Sequence, residues 1–120
     1  MVDIVLLKQQ QVDAVFDRPR PDRLEAGNPL RTTFEHYARD GVSCGIWRCE
    51  AGRWRIQFAA NKHEFFSVIS GRVRLYDTAG TMSEVGPGEA AVIPAGFVGQ
   101  FEVVEPVEKY FVVVETGGAS

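Results

Sequence analysis

From residue 42 to residue 115 the chain is a succession of short apolar or alternating runs, cut repeatedly by glycine and proline. The run 42–49 ends at Glu50-Ala51-Gly52. In 54–60, Trp54, Ile56, Phe58 and Ala60 share one face of an extended chain, and Arg55 and Gln57 take the other. Further runs cover 64–70, 72–77, 89–94, 98–104 and 107–115. Gly71, a turn near Ala79-Gly80, Gly86-Pro87-Gly88, Gly96 and Pro106 separate them. Strand-length segments spaced by about 8–12 residues leave no room for crossover helices, so the strands pair as a sandwich or a closed barrel. The expected class is all-β.

The first third of the chain reads differently. Residues 2–7 are an apolar run and are expected to form a strand; 13–16 is a weaker candidate. Pro19, Pro21 and Pro29, with Gly27, bar a helix or a central strand across 18–30, because proline lacks the N–H that either ladder needs. That stretch is expected to run as an extended arm, packed on its own barrel or on a neighbouring subunit. The one helix candidate, 33–39, is weak. The expected organisation is an N-terminal strand and arm over 1–41, a barrel over 42–116 and a frayed tail over 117–120. An unpaired strand edge invites pairing with another chain, so 2–7 and the arm are candidate dimer elements and a homodimer is the expected state.

Composition narrows the partners. The chain has 120 residues, of which 45% are hydrophobic, enough for one domain with a real core. Its 13 basic and 16 acidic side chains give a net charge of -3, so no electrostatic footprint points to nucleic acid or an anionic membrane. Arg18, Arg20 and Arg23 sit among Asp17, Asp22 and Glu25, which reads as a solvated loop. Cys44 and Cys49 are five positions apart in one run and so face opposite ways; two unpaired thiols suit a reducing, cytoplasmic setting. No run approaches membrane-spanning length, and no signal-peptide pattern opens the chain. Ser67, Ser70, Ser83 and Thr78 lack the His and Asp of a nucleophile triad.

Two stretches resemble the sequence motifs of the cupin superfamily. Gly52, Glu64 and Gly71 match the first motif, and Gly88, Pro94 and Gly96 match the second. More closely, the chain resembles the small cupins related to ureidoglycine aminohydrolase and to the ethanolamine-utilisation cupin domains. Gly45-Ile46-Trp47, Gly52-Arg53-Trp54-Arg55, Gly71-Arg72-Val73-Arg74-Leu75, Ile93-Pro94-Ala95-Gly96-Phe97 and Glu108-Lys109-Tyr110 carry that likeness over 42–115. The resemblance implies a double-stranded β-helix, the RmlC-like jelly-roll barrel. It also implies a metal held by two His and a Glu from the first motif and a His from the second. The matching positions are Phe58 and Ala60 (or Gln57 and Ala59), then Glu64, then Gly99. Glu64 alone among these is a ligand of the expected kind, so no metal and no other cofactor is expected.

On the alternation of 64–70, Glu64 shares its face with Phe66 and Val68. A lone carboxylate among apolar groups requires a proton or a cation. Lys109, on the face of Phe111 and Val113, is the expected partner, and the two are the candidate catalytic residues. Trp47, Trp54, Phe58, Phe66, Phe97 and Phe101, with Glu64 and Lys109, are the candidate ligand pocket. The main functional expectation is a metal-independent, small-molecule-binding cupin. Two alternatives stand beside it: an aminohydrolase-like enzyme acting on a small nitrogen-containing metabolite, and a structural subunit whose barrel is filled by Trp54, Phe58 and Phe66.

Overall fold

The computed structural model describes residues 2–8 and 11–117. Among the described residues nine strands make one curled sheet and there is no α-helix: β1 Val15–Asp17, β2 Leu24–Ala26, β3 Arg31–Arg39, β4 Val42–Cys49, β5 Gly52–Gln57, β6 Lys62–Asp77, β7 Met82–Val85, β8 Ala90–Ile93 and β9 Val98–Glu115. The order along the sheet is β1-β3-β4-β9-β5-β2, and β6 pairs with β7, β8 and β9. All the pairings are antiparallel.

The two longest strands make the barrel. β6 and β9, of 16 and 18 residues, pair with each other from Lys62↔Glu115 to Asp77↔Gly99. Their register shifts between Val68 and Val73. The sequence reading ended runs at Gly71 and Pro106, but both strands continue through these residues. Gly71 has φ +84°, and a Cβ there would lie 2.1 Å from the Pro106 carbonyl oxygen. Only glycine allows that approach, and a bulge is where a strand tolerates the missing N–H of proline. The two residues therefore bend the strands together, which carries them around the barrel corner.

The N-terminal third also departs from expectation. Residues 2–7 form no strand: their backbone finds no ladder partner, and Val2 and Ile4 are 84% and 88% exposed. Just after this segment, the Lys8 carbonyl meets His36 Nε2 at 2.6 Å. The 13–16 candidate is realised as β1, two residues later. Residues 33–39 are not helical; they belong to β3, which pairs with β4 from Arg31↔Cys49 to Arg39↔Val42. Cross-strand pairing overrides the weak local preference. Of the expected tail, residues 118–120 lie outside the described residues.

The core alternates as strands require. In β6, Phe66 and Val68 are 0% and 2% exposed, whereas Phe65 and Ile69 point outward at 45% and 38%. Val73, Leu75, Val85, Val103 and Val107 fill one part of the barrel interior. The aromatic residues gather in the other.

Candidate functional site

That aromatic part is not filled. It encloses a cavity of about 320 Å³. β3 contributes Arg31 and Thr33, β4 Trp47, β5 Trp54 and Ile56, β6 Lys62 and Glu64, and β9 Phe101 and Lys109. The rings form a connected cluster. Trp54 stacks on Phe101 at 5.3 Å between centroids, Trp47 meets Phe101 edge-on at 5.8 Å, and Trp47 and Trp54 are 6.3 Å apart. These offset and edge-to-face geometries are the favoured ones for ring quadrupoles.

Lys109 Nζ donates to Glu64 Oε2 at 2.8 Å, with side-chain exposures of 5% and 13%. Lys109 lies opposite Trp47 on β4 and Val68 on β6, so its stem runs along the interior to reach Glu64. Its ammonium also lies 4.2 Å from the Phe66 ring centroid, 4.6 Å from Trp47 and 5.0 Å from Phe101. Three π-faces and one carboxylate therefore surround a buried cation, which balances the charge and supplies part of what water would have given. Glu64 Oε1 takes no hydrogen bond from a described residue and belongs to a side chain that lines the cavity. Chemically, the arrangement is an apolar box with one hydrogen-bond acceptor in its wall.

The structure brings together Trp47, Trp54, Phe58, Glu64, Phe101 and Lys109 around the cavity. Two expected members are placed elsewhere. Phe66 is fully buried beneath the Lys109 ammonium and supports the pair without lining the space. Phe97 packs against the core from its turn, beside Gly99. Lys62, which the sequence reading passed over, was within reach of it: alternation puts Lys62 on the face of Glu64. Arg31 and Thr33 gave no such signal, because nothing local announces that β3 closes the barrel wall.

A metal of the kind the cupin motifs imply does not fit these residues. Phe58 is a ring and Ala60 a methyl group, and Glu64 already has Lys109 as its counter-charge. At Gly99 a Cβ would lie 1.9 Å from the Tyr76 carbonyl oxygen, so this backbone admits no larger side chain there. Among the described residues no three His, Cys, Asp or Glu side chains gather where they could hold a metal ion.

The two thiols are free. Burial pushes Cys49 up to about 12, and burial followed by the nearby Glu35 carboxylate raises Cys44. Neither thiol lines the cavity. No helix of the described residues is long and apolar enough to cross a membrane.

Among curated proteins no match is found. Several solved structures share the fold. A DUF861-family protein of unknown function from Pseudomonas syringae pv. tomato superposes with a TM-score of 0.76 at 18% identity, over 88% of this chain and 46% of that one. This chain therefore spans about half of that protein. The EutQ protein of Clostridium difficile gives 0.65 at 23% identity, covering 78% and 76% of the two chains. A putative ethanolamine utilization protein Q from Salmonella typhimurium gives 0.65 at 14% identity, covering 88% and 98%. At these identities the likeness speaks for the fold, a cupin barrel. The sequence model of the EutQ-like cupin domain matches residues 37–111, the greater part of the barrel, and the chain belongs to that family.

Proposed function

We propose that this protein is a metal-independent cupin that binds a small, partly apolar molecule inside its barrel. One observation carries the reading: a cavity of about 320 Å³ walled by Trp47, Trp54, Phe58 and Phe101, with Glu64 and Lys109 as its innermost polar pair. Concave, mostly apolar sites with a few placed polar groups are the usual form of small-molecule pockets. In this reading Glu64 and Lys109 orient a ligand; Glu64 Oε1 accepts a hydrogen bond from it. The open space speaks for binding over a barrel filled by its own aromatics.

Trp47 and Trp54 are the two tryptophans of the chain, and both line the cavity. Tryptophan emission therefore reports on the site directly. Titration with benzyl alcohol, a neutral probe of one ring and one hydroxyl, is expected to change that emission saturably. Filling the space with Val113→Phe is expected to abolish the change. No saturable change in the wild-type protein would sink the reading.

The homodimer belongs to the same proposal. Val2, Ile4 and Leu6 are left 84%, 88% and 52% exposed, and a second copy of the chain is the surface proposed to cover them. Sedimentation that gives a monomer at micromolar concentration would overturn this part.

A further inference from the structure

We propose that the mouth of the barrel is an anion-binding antechamber. The ligand is then a small organic anion: its apolar body enters the aromatic cavity, and its carboxylate or phosphate oxygens are held outside by Arg23, Lys62 and their cationic neighbours. This inference rests on the binding reading above and names the ligand class for it.

A second cavity of about 240 Å³ adjoins the first, and Arg31, Trp54, Ile56, Phe58 and Lys62 line both. Its charged lining is Arg20, Arg23, Arg31, Arg55 and Lys62, with no Asp or Glu. The whole chain carries a net charge of -3, so five cations around one concavity run against the average.

The acids that alternate with these arginines in the sequence neutralise two of the five cations, Arg20 and Arg31, and leave Arg23, Arg55 and Lys62 without a carboxylate among the described residues. Asp22 pairs with Arg20 at 2.8 Å, Asp17 with Arg31 at 2.6 Å, and Glu25 turns to Arg53 at 3.1 Å. Arg55 donates to the Asp22 backbone carbonyl. Among the described residues neither Arg23 nor Lys62 forms an ion pair, and Lys62 Nζ stands 4.5 Å over the Phe58 ring, where the two cavities join.

Uncompensated like charges in a concave site repel one another and concentrate counter-ions there. Guanidinium groups present paired N–H donors that match the oxygens of a carboxylate or phosphate. Beyond the Arg31 and Lys62 that it shares with the mouth, the adjoining box offers aromatic walls and the Glu64 acceptor, and its one further cation, the Lys109 ammonium, is already bonded to Glu64. The two chambers divide the ligand between them: charge at the mouth, apolar body within.

The test extends the tryptophan titration to three probes with the same ring: benzoate, phenyl phosphate and benzyl alcohol. At low salt at least one anion is expected to bind tenfold or more tighter than the alcohol, with an affinity that falls as sodium chloride is added. The double substitution Arg23→Gln with Lys62→Gln is expected to bring the anions to the affinity that the same variant shows for the alcohol, and Lys62→Arg to retain the anions' advantage. Competition by inorganic phosphate or by acetate tells which headgroup the mouth prefers. Anions that bind no tighter than benzyl alcohol, or a double variant that leaves anion binding intact, would overturn the antechamber while the aromatic box stands. If no probe binds, the alcohol included, the box falls and the antechamber with it.

Discussion

The inner cavity and its mouth handle charge in opposite ways. Inside, one ammonium meets one carboxylate at 2.8 Å, and aromatic faces take up the rest of its surface. At the mouth, cations outnumber the carboxylates that answer them, and the groups stay partly in water. The contrast follows from the cost of burial. A charge without water must be matched within the protein, whereas a hydrated one is left to a ligand at small cost. Stability should therefore depend on the interior and selectivity on the mouth, and substitutions can separate the two.

The largest expected effect is on the ring cluster. Phe101 is 4% exposed and touches Trp47, Trp54 and Phe66, so Phe101→Ala is expected to cost about 4 kcal/mol in urea unfolding. Next comes the pair. Glu64→Gln strands an ammonium of 5% side-chain exposure and is expected to cost about 3 kcal/mol. Replacing both partners, Glu64→Leu with Lys109→Met, should recover most of that loss, because an apolar pair suits an apolar wall. A double variant no more stable than Glu64→Gln would mean that the pair contributes more than mutual neutralisation.

Cys49 gives a smaller, pH-dependent effect. Its thiol is raised by burial to about 12, so the folded state holds the proton where the unfolded chain releases it. The associated stability is present below about pH 8.5, the ordinary thiol value, and is lost as the pH rises toward the folded value. Cys49→Ala is expected to flatten that alkaline decline in denaturation midpoints, and native Cys49 to resist alkylation.

The smallest effect on folding is expected at the mouth. Arg23→Gln with Lys62→Gln should change stability by less than about 0.5 kcal/mol, as surface substitutions usually do, while it alters anion binding. A stability loss as large as that of Glu64→Gln would erase the distinction between the two chambers.

Much of the interior was legible in the chain itself. Alternation placed Glu64 with Phe66, Lys109 with Phe111 and Val113, and Trp54 with Ile56 and Phe58, because a strand's side chains have a period of two whatever it pairs with. The all-β class followed from the same periodicity and its glycine and proline breaks. The mouth was not legible. Arg20 and Arg23 read as solvated because Asp22 lies between them and Glu25 follows, and sequence neighbours say nothing about which side chains turn to one concavity. The strand expected at 2–7 does not form for the converse reason: an apolar run becomes a strand only where another strand pairs with it, and these residues have no ladder partner.

Local pattern thus settled the face on which each residue lies and the chemistry it carries. Long-range pairing settled which faces meet. Glu64 and Lys109 are 45 positions apart, and the antiparallel run of β6 along β9 brings them within 2.8 Å. The bend at Gly71 and Pro106, the closure of the wall by β3 and the gathering of cations from β2's neighbourhood, β3, β5 and β6 all depend on contacts between distant segments. Side-chain period is a property of the local backbone, whereas closure is a property of the whole sheet.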